Sequence, residues 1–277
     1  MSKAHDLIKR MSEDIDLKVQ LEKVPEEYTL GRGRSDRSRL KDLQVAIQQA
    51  LREAGFVAET SEGLENPLIR DCRRYFCLSL LYQSRFTSRI GALRPQIKIE
   101  LIHRHARGRT SELPLFYLID RLTEETPPAI CRLACIGVEE TLAEKVLSLL
   151  RRCAWNWDGH QRGEIDPVLV RHIYDVWCIA SRHQDSLRVA ASLFPGLVEV
   201  DRSEFGVQHP EFLSRPKETL TRALAAARKS GELQSSYDER LVPLVYARNV
   251  PGFAAAFKVF AEIATSLLDS LPEDGAT

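Results

Sequence analysis

The chain has 277 residues, 44% of them hydrophobic, and its 39 Lys+Arg balance 39 Asp+Glu to a formal charge of zero. That balance excludes a strongly basic nucleic-acid packing protein and an acidic disordered tail, and only 14 Gly and 13 Pro exclude collagen-like and low-complexity chains. At this length a compact chain buries roughly 75% of its unfolded surface and divides into about two domains.

The opening MSKAHDLIKRMSEDID lacks the apolar stretch of a secretory signal. No run of about 18 apolar residues follows to span a membrane. A cytoplasmic protein with no membrane partner is therefore expected. Over residues 14–21 polarity alternates strictly, which predicts a strand. Ile15, Leu17, Val19 and Leu21 share one face, and Asp14, Asp16 and Lys18 the other. A helix is predicted over residues 38–54, with Leu40, Leu43, Ile47 and Leu51 as its stripe and Gly55 as its stop. Strands are predicted over residues 75–82 and 96–102. In the second, Ile97, Ile99 and Leu101 face one way and Lys98 and Glu100 the other.

Pro127-Pro128 marks a domain seam, giving a first domain at residues 1–128 and a helical one at 129–277. Val138, Leu142, Val146 and Leu149 begin the helical part. Asp166-Pro167 is an N-cap with proline at the first helical position, continued by Leu169, Ile173, Val176 and Ala180. Further helices fit residues 217–229 and 252–271. The expected class is α+β, a mixed front with a helical rear.

Charge is unevenly spread. Residues 70–109 carry ten basic side chains (Arg70, Arg73, Arg74, Arg85, Arg89, Arg94, Lys98, Arg104, Arg107, Arg109) against Asp71 and Glu100, a local +8 offset by −8 elsewhere. A second basic knot comprises Arg32, Arg34, Arg37, Arg39 and Lys41. Any single arginine reads as solvated surface, but two tracts flanking strand-like segments suggest phosphate contact. The six cysteines (Cys72, Cys77, Cys131, Cys135, Cys153, Cys178) form no Cys-x-x-Cys pair, and most lie among apolar neighbours. Reduced core thiols are expected, not disulfides or a zinc site. His5, His103 and His105 have no partners at ligand spacing and read as exposed or capping. Trp155 and Trp157, beside Asp158-Gly159, could stack a base; packing at a seam is the commoner role for such a pair.

The segment that carries chemistry is Ser12-Glu13-Asp14-Ile15-Asp16. Two carboxylates at i, i+2 on a strand project to one side, and a divalent cation removes their mutual repulsion. With Glu100 on the polar face of another strand, three acidic groups could hold two Mg²⁺ ions, the arrangement used for in-line displacement at phosphorus.

Lys9-Arg10-Met11-Ser12-Glu13-Asp14-Ile15-Asp16-Leu17 resembles the "R-F-S-E-D-I-D-L" signature of the AbiEii/AbiGii toxin family of nucleotidyltransferases. Gln96-Ile97-Lys98-Ile99-Glu100-Leu101 looks like the family's strand with its third carboxylate. The run from Glu139 to Lys145 is similar to its "E-x-x-L-A-E-K" helix, and the run from Arg171 to Trp177 to its "R-D-L-Y-D-L-W". Residues 233–268 resemble its final segment, a Tyr-led helix, a Pro-x-Phe turn and a closing helix. The resemblance implies a polymerase-β-like nucleotidyltransferase core with a small mixed sheet, followed by a helical C-terminal domain. It further implies a toxin of a type IV toxin–antitoxin or phage-abortive-infection system, with a separate antitoxin as partner. Nucleotides would pass from an NTP donor to RNA, notably the tRNA acceptor end. Asp14 and Asp16 would bind the metal, and Glu100 would be the third ligand or the base near the acceptor hydroxyl. Lys145 would contact the nucleotide's phosphates, joined by Ser12 and Lys3, and Asp175 would help shape the site. Without the family, Lys145 would pair with Glu144 or Glu140, and Asp175 with Arg171.

The sequence departs from the family's pattern in three places. Ser2-Lys3-Ala4 is similar to the "L-S-K-A" that follows the family's phosphate-holding Gly-Gly-[Ser/Thr] turn, so that turn is expected just before Met1. This motivates a second reading, an impaired nucleotidyltransferase-like protein that acts by binding RNA or an antitoxin. His172 stands where the family often has Asp. The stretch around Trp155, Trp157, Asp158, Gly159 and His160 looks longer than usual, and a loop near the acceptor RNA is expected there.

Overall fold

The computed structural model describes residues 4–12, 14–23, 34–56, 69–81, 93, 96–116, 118–123, 130–160 and 165–275. The chain divides into two compact units, Ser12–Ala106 and Met1–Met11 together with Arg107–Thr277.

In the first unit alternation produces strands. β1 (Asp14–Lys18), β2 (Ile69–Arg70), β3 (Tyr75–Leu81) and β4 (Gln96–Ile102) form one mixed sheet in the order β1-β4-β3-β2, with β1 parallel to β4 and the other pairs antiparallel. One face carries Phe76, Leu78, Leu80, Ile99 and Leu101, all buried. The helix α1 (Asp36–Glu53) contributes Ile47 and Leu51 to that cluster. Ser35 caps α1 by accepting from the Ser38 amide at 3.4 Å, which satisfies one of the helix's orphan donors. The first strand is shorter than alternation predicts. Val19 N–H still donates to the Ile102 carbonyl at 2.8 Å, but Leu21 already opens a 3₁₀ turn. As an edge strand β1 is also less covered, leaving Ile15 and Leu17 each 37% exposed.

Between β2 and β3 the chain turns through three consecutive left-handed residues, Asp71, Cys72 and Arg73, with φ of +50°, +52° and +74°. Each costs roughly 1–2 kcal/mol for a side chain other than glycine. Buried Gln44 of α1 opposes that strain: its amide donates to the Arg73 carbonyl at 3.1 Å, and its oxygen accepts from Arg73 Nη1 at 2.7 Å.

The second unit is built from the antiparallel pair β5 (Thr110–Leu115) and β6 (Cys131–Ile136), with α2 (Leu118–Thr123) between them in sequence, and a helical body. That body comprises α3 (Val138–Trp157), α4 (Arg171–Arg182), α5 (Ser186–Phe205), α6 (Pro210–Ser214), α7 (Pro216–Ala227), α8 (Gly231–Ser236) and α9 (Phe253–Asp269). The long apolar stripe of α3 packs on α5, α7 and α4, and α4 packs on α9. Leu142, Val146, Leu149, Leu150, Ile173, Val176, Phe194 and Phe260 sit in this core with essentially no exposure. Asp166 caps its helix as its position predicts, accepting from the Val168 amide at 3.1 Å.

The unit also recruits the chain's first residues. Leu7 and Ile8 are buried in the helical core. Met11 N–H donates to the Leu244 carbonyl at 2.9 Å, and Tyr246 N–H to the Lys9 carbonyl at 3.0 Å. The seam expected at Pro127-Pro128 falls outside the described residues, while the compact units divide at 106/107. A local bond joins the hairpin to α3: the Gly137 amide donates to the Arg109 carbonyl at 3.0 Å. Cys77, Cys153 and Cys178 are buried thiols as expected. Cys72 and Cys131 are exposed, because one lies on the left-handed turn and the other on the open strand β6. Among the described residues no helix is long and apolar enough to cross a membrane.

Candidate active site

Parallel pairing of β1 with β4 sets Asp14 beside Lys98 and Asp16 beside Glu100. Because side chains alternate, these four groups share the sheet face opposite the apolar cluster. β3 adds Cys77 opposite Glu100 and Ser79 opposite Lys98. Burial pushes the Glu100 carboxyl above its ordinary value, and the charges of Asp16 and Asp14 push it further; Lys98 and a hydrogen bond from Tyr75 pull the other way. Burial and Glu100 likewise raise the Cys77 thiol, which keeps it protonated. The three acidic groups predicted to act together are thus brought to one face. An all-oxygen set of three carboxylates suits a hard divalent cation. Ser12 lies at the entry to β1, and its hydroxyl donates to the Asp14 carbonyl at 3.2 Å. Lys3 lies outside the described residues.

The second charged cluster belongs to the helical unit. α4 carries Asp175, whose side chain is completely buried. Lys145 of α3 donates to its Oδ2 at 2.6 Å. Arg10 grips it with a two-pronged fork, Nε to Oδ1 at 2.9 Å and Nη2 to Oδ2 at 2.8 Å. Burial alone would raise the Asp175 pKa, but the Arg10 and Lys145 cations outweigh it and hold the carboxyl well below the usual range. The local pairings that helix spacing allows are not those formed: Lys145 reaches across to α4, not along its own helix. Glu140 is instead buried, accepting from the amides of Arg107 at 2.9 Å and Gly108 at 2.7 Å. A side chain at position 108 would press on the same carboxylate, since a Cβ there would lie 3.3 Å from Glu140 Oε2.

His172, one turn before Asp175, has a buried Nδ1 with no hydrogen-bond partner. Burial, with the Lys145 charge second, keeps its imidazole neutral. Trp155 and Trp157 lie in the last turn of α3, and Trp157 packs on the helical core. The expected loop is therefore helix as far as Trp157, because the apolar stripe of α3 continues through Cys153 and Ala154.

The sheet unit also has a basic pocket of about 300 Å³, lined by Ser35, Arg37, Ser38, Lys41 and Arg73. It joins the two basic tracts read from the sequence. Arg10 and Glu140 were not foreseen. Arg10 stands inside the first motif, but its partner is 165 residues away and no local pattern announces it.

The family model described as "Nucleotidyl transferase AbiEii toxin, Type IV TA system" matches residues 1–259 of the 277. No curated protein matches the chain.

Proposed function

The chain belongs to the AbiEii nucleotidyl transferase toxin family of type IV toxin–antitoxin systems, and from that premise we propose that it transfers a nucleotide from an NTP to an RNA acceptor, with tRNA as the acceptor. In this reading the sheet unit is a polymerase-β-like core. The enzyme acts in the cytoplasm, restrained by a cognate antitoxin. The observation that carries the proposal is the β1–β4 register, which sets Asp14, Asp16 and Glu100 on one polar face.

Asp14, Asp16 and Glu100 would hold two Mg²⁺ ions, which when bound neutralise the carboxylates, clamp the triphosphate and acidify the attacking hydroxyl. The acceptor hydroxyl oxygen bonds to the α-phosphorus, and the bond from that phosphorus to the β-phosphate oxygen breaks, releasing pyrophosphate. The proton that the hydroxyl loses passes to solvent, since a carboxylate bound to the two cations is a weak base. Asp175 positions Lys145 and Arg10, and we assign Lys145 to the nucleotide's phosphates. Asp175 is a positioning residue, since a carboxylate without exposure that already accepts three charge-assisted bonds has no free edge for substrate. Arg37, Lys41 and Arg73, around the pocket at the start of α1, would meet the RNA backbone.

The test is incorporation of labelled nucleotide into RNA by the full chain. Asp14→Ala and Asp16→Ala should each lower it by at least about 10²–10³-fold, the scale seen when preorganised transition-state contacts are removed. Circular dichroism should stay unchanged. Labelling that persists in both variants would sink the proposal, and labelling of other RNAs but not tRNA would overturn the choice of acceptor.

A further inference from the structure

A second cluster of ligating side chains stands in the helical unit, and the function proposed above makes no use of it. Asp158 and His160 follow α3, and His209 and Glu211 open α6. His160 Nε2 lies 2.7 Å from Glu211 Oε2. His209 Nε2 lies 2.9 Å from Asp158 Oδ2 and 3.9 Å from Glu211 Oε2. One ligand atom from each of His160, His209 and Glu211 falls within 4.8 Å of the others. Four ligands around a tetrahedral ion with bonds of 2.0–2.1 Å stand about 3.3 Å apart. The separations of Glu211 Oε2 from His160 and His209, 2.7 and 3.9 Å, bracket that value.

The geometry points to a transition-metal site of the zinc class, with His160, His209 and Glu211 as its three protein ligands, tying the segment after α3 to α6. His209 is buried, its side chain 2% exposed, and its Nδ1 makes no hydrogen bond among the described residues. The ring's polar contacts therefore lie on the Nε2 side, facing the cluster. Arg222 Nη2 donates to both oxygens of Asp158, at 2.7 and 2.8 Å, and so holds that carboxylate beside His209 without leaving it free to bind an ion. Two imidazoles with one carboxylate favour Zn²⁺, Co²⁺ or Ni²⁺ over Mg²⁺ or Ca²⁺, which prefer oxygen alone. Because His209 Nδ1 lacks an acceptor, affinity falls roughly 10–100-fold below that of a site with a complete outer shell.

The experiment is calorimetric titration of tag-free full-length protein with Zn²⁺, in excess Mg²⁺ to occupy the carboxylates of the sheet unit. One equivalent should bind. His160→Gln or Glu211→Gln should each weaken binding at least about 100-fold, whereas the Asp14→Asn/Asp16→Asn double variant should keep it. Both test positions are partly exposed, so they report even where a His209 variant fails to fold. Co²⁺ should give visible absorption of tetrahedral strength that vanishes in His160→Gln. No Zn²⁺ binding, or binding that survives His160→Gln and Glu211→Gln, would overturn the site. These readouts are independent of nucleotide transfer.

Discussion

Glu100 is a half-buried carboxylate and Asp175 a fully buried one, and their surroundings drive them in opposite directions. Glu100 faces Asp16 across the parallel ladder, so burial and like charge both raise its affinity for protons. Asp175 is enclosed more completely, yet Arg10 and Lys145 keep it ionised. The lesson is that burial alone does not assign a role. A crowded acidic face is completed by a cation from solution, whereas a carboxylate already matched by two cations is a fastening.

The sharpest way to break this contrast is Asp175→Ala. It leaves Arg10 and Lys145, 11% and 16% exposed, without their partner. Denaturant unfolding should show a loss of about 3–5 kcal/mol, the scale for removing one member of a buried ion pair. A loss below about 1 kcal/mol would mean that the cations find water easily and the fastening is not one. The same cluster predicts a pH dependence. The folded pKa of Asp175 is depressed, so its contribution is complete above about pH 4, the unfolded value. It drains away as pH falls through the lower folded value. Acid unfolding that is identical in Asp175→Asn and wild type would contradict this.

Glu100→Gln probes the other side. Removing a charge that its neighbours disfavour should stabilise the cation-free sheet unit, by about 1 kcal/mol or less given the partial exposure of the site. The same variant should lose both the Mg²⁺-induced rise in melting temperature and nucleotide transfer. Greater stability with less activity is the signature of strain kept for function. The smallest effect is expected at the basic pocket. Lys41→Ala should weaken RNA binding about equally for all sequences and reduce the log–log salt slope by about 0.7–1.

Much of the fold is legible in the sequence wherever one face is buried along a single element. β4 runs over the predicted residues, and Ile99 and Leu101 face inward as alternation requires. α3 and α9 follow their apolar stripes. The hairpin β5–β6 gave no such signal, because its strands are largely exposed and Pro114 interrupts one of them. α5 escaped for the opposite reason. Pro195-Gly196 reads as a breaker, yet the helix runs through it with Phe194, Leu197 and Val198 buried on either side. Of the candidate site, the acidic trio is legible because two strands with matching periods present it. The Arg10–Asp175–Lys145 cluster is not, since periodicity reports neighbours along one element and these partners come from three separate segments.

The attachment of residues 4–11 to the helical unit has a consequence for how the protein is made. Arg10 and Met11 are synthesised before their partners Asp175 and Leu244, which lie 165 and, from 244 minus 11, 233 residues further on. At 5–20 residues per second, the ribosome takes roughly 10–50 s to supply the second of these after the first residues appear. These contacts are of long sequence separation and form late. The buried ion cluster cannot form until α4, which carries Asp175, has been made.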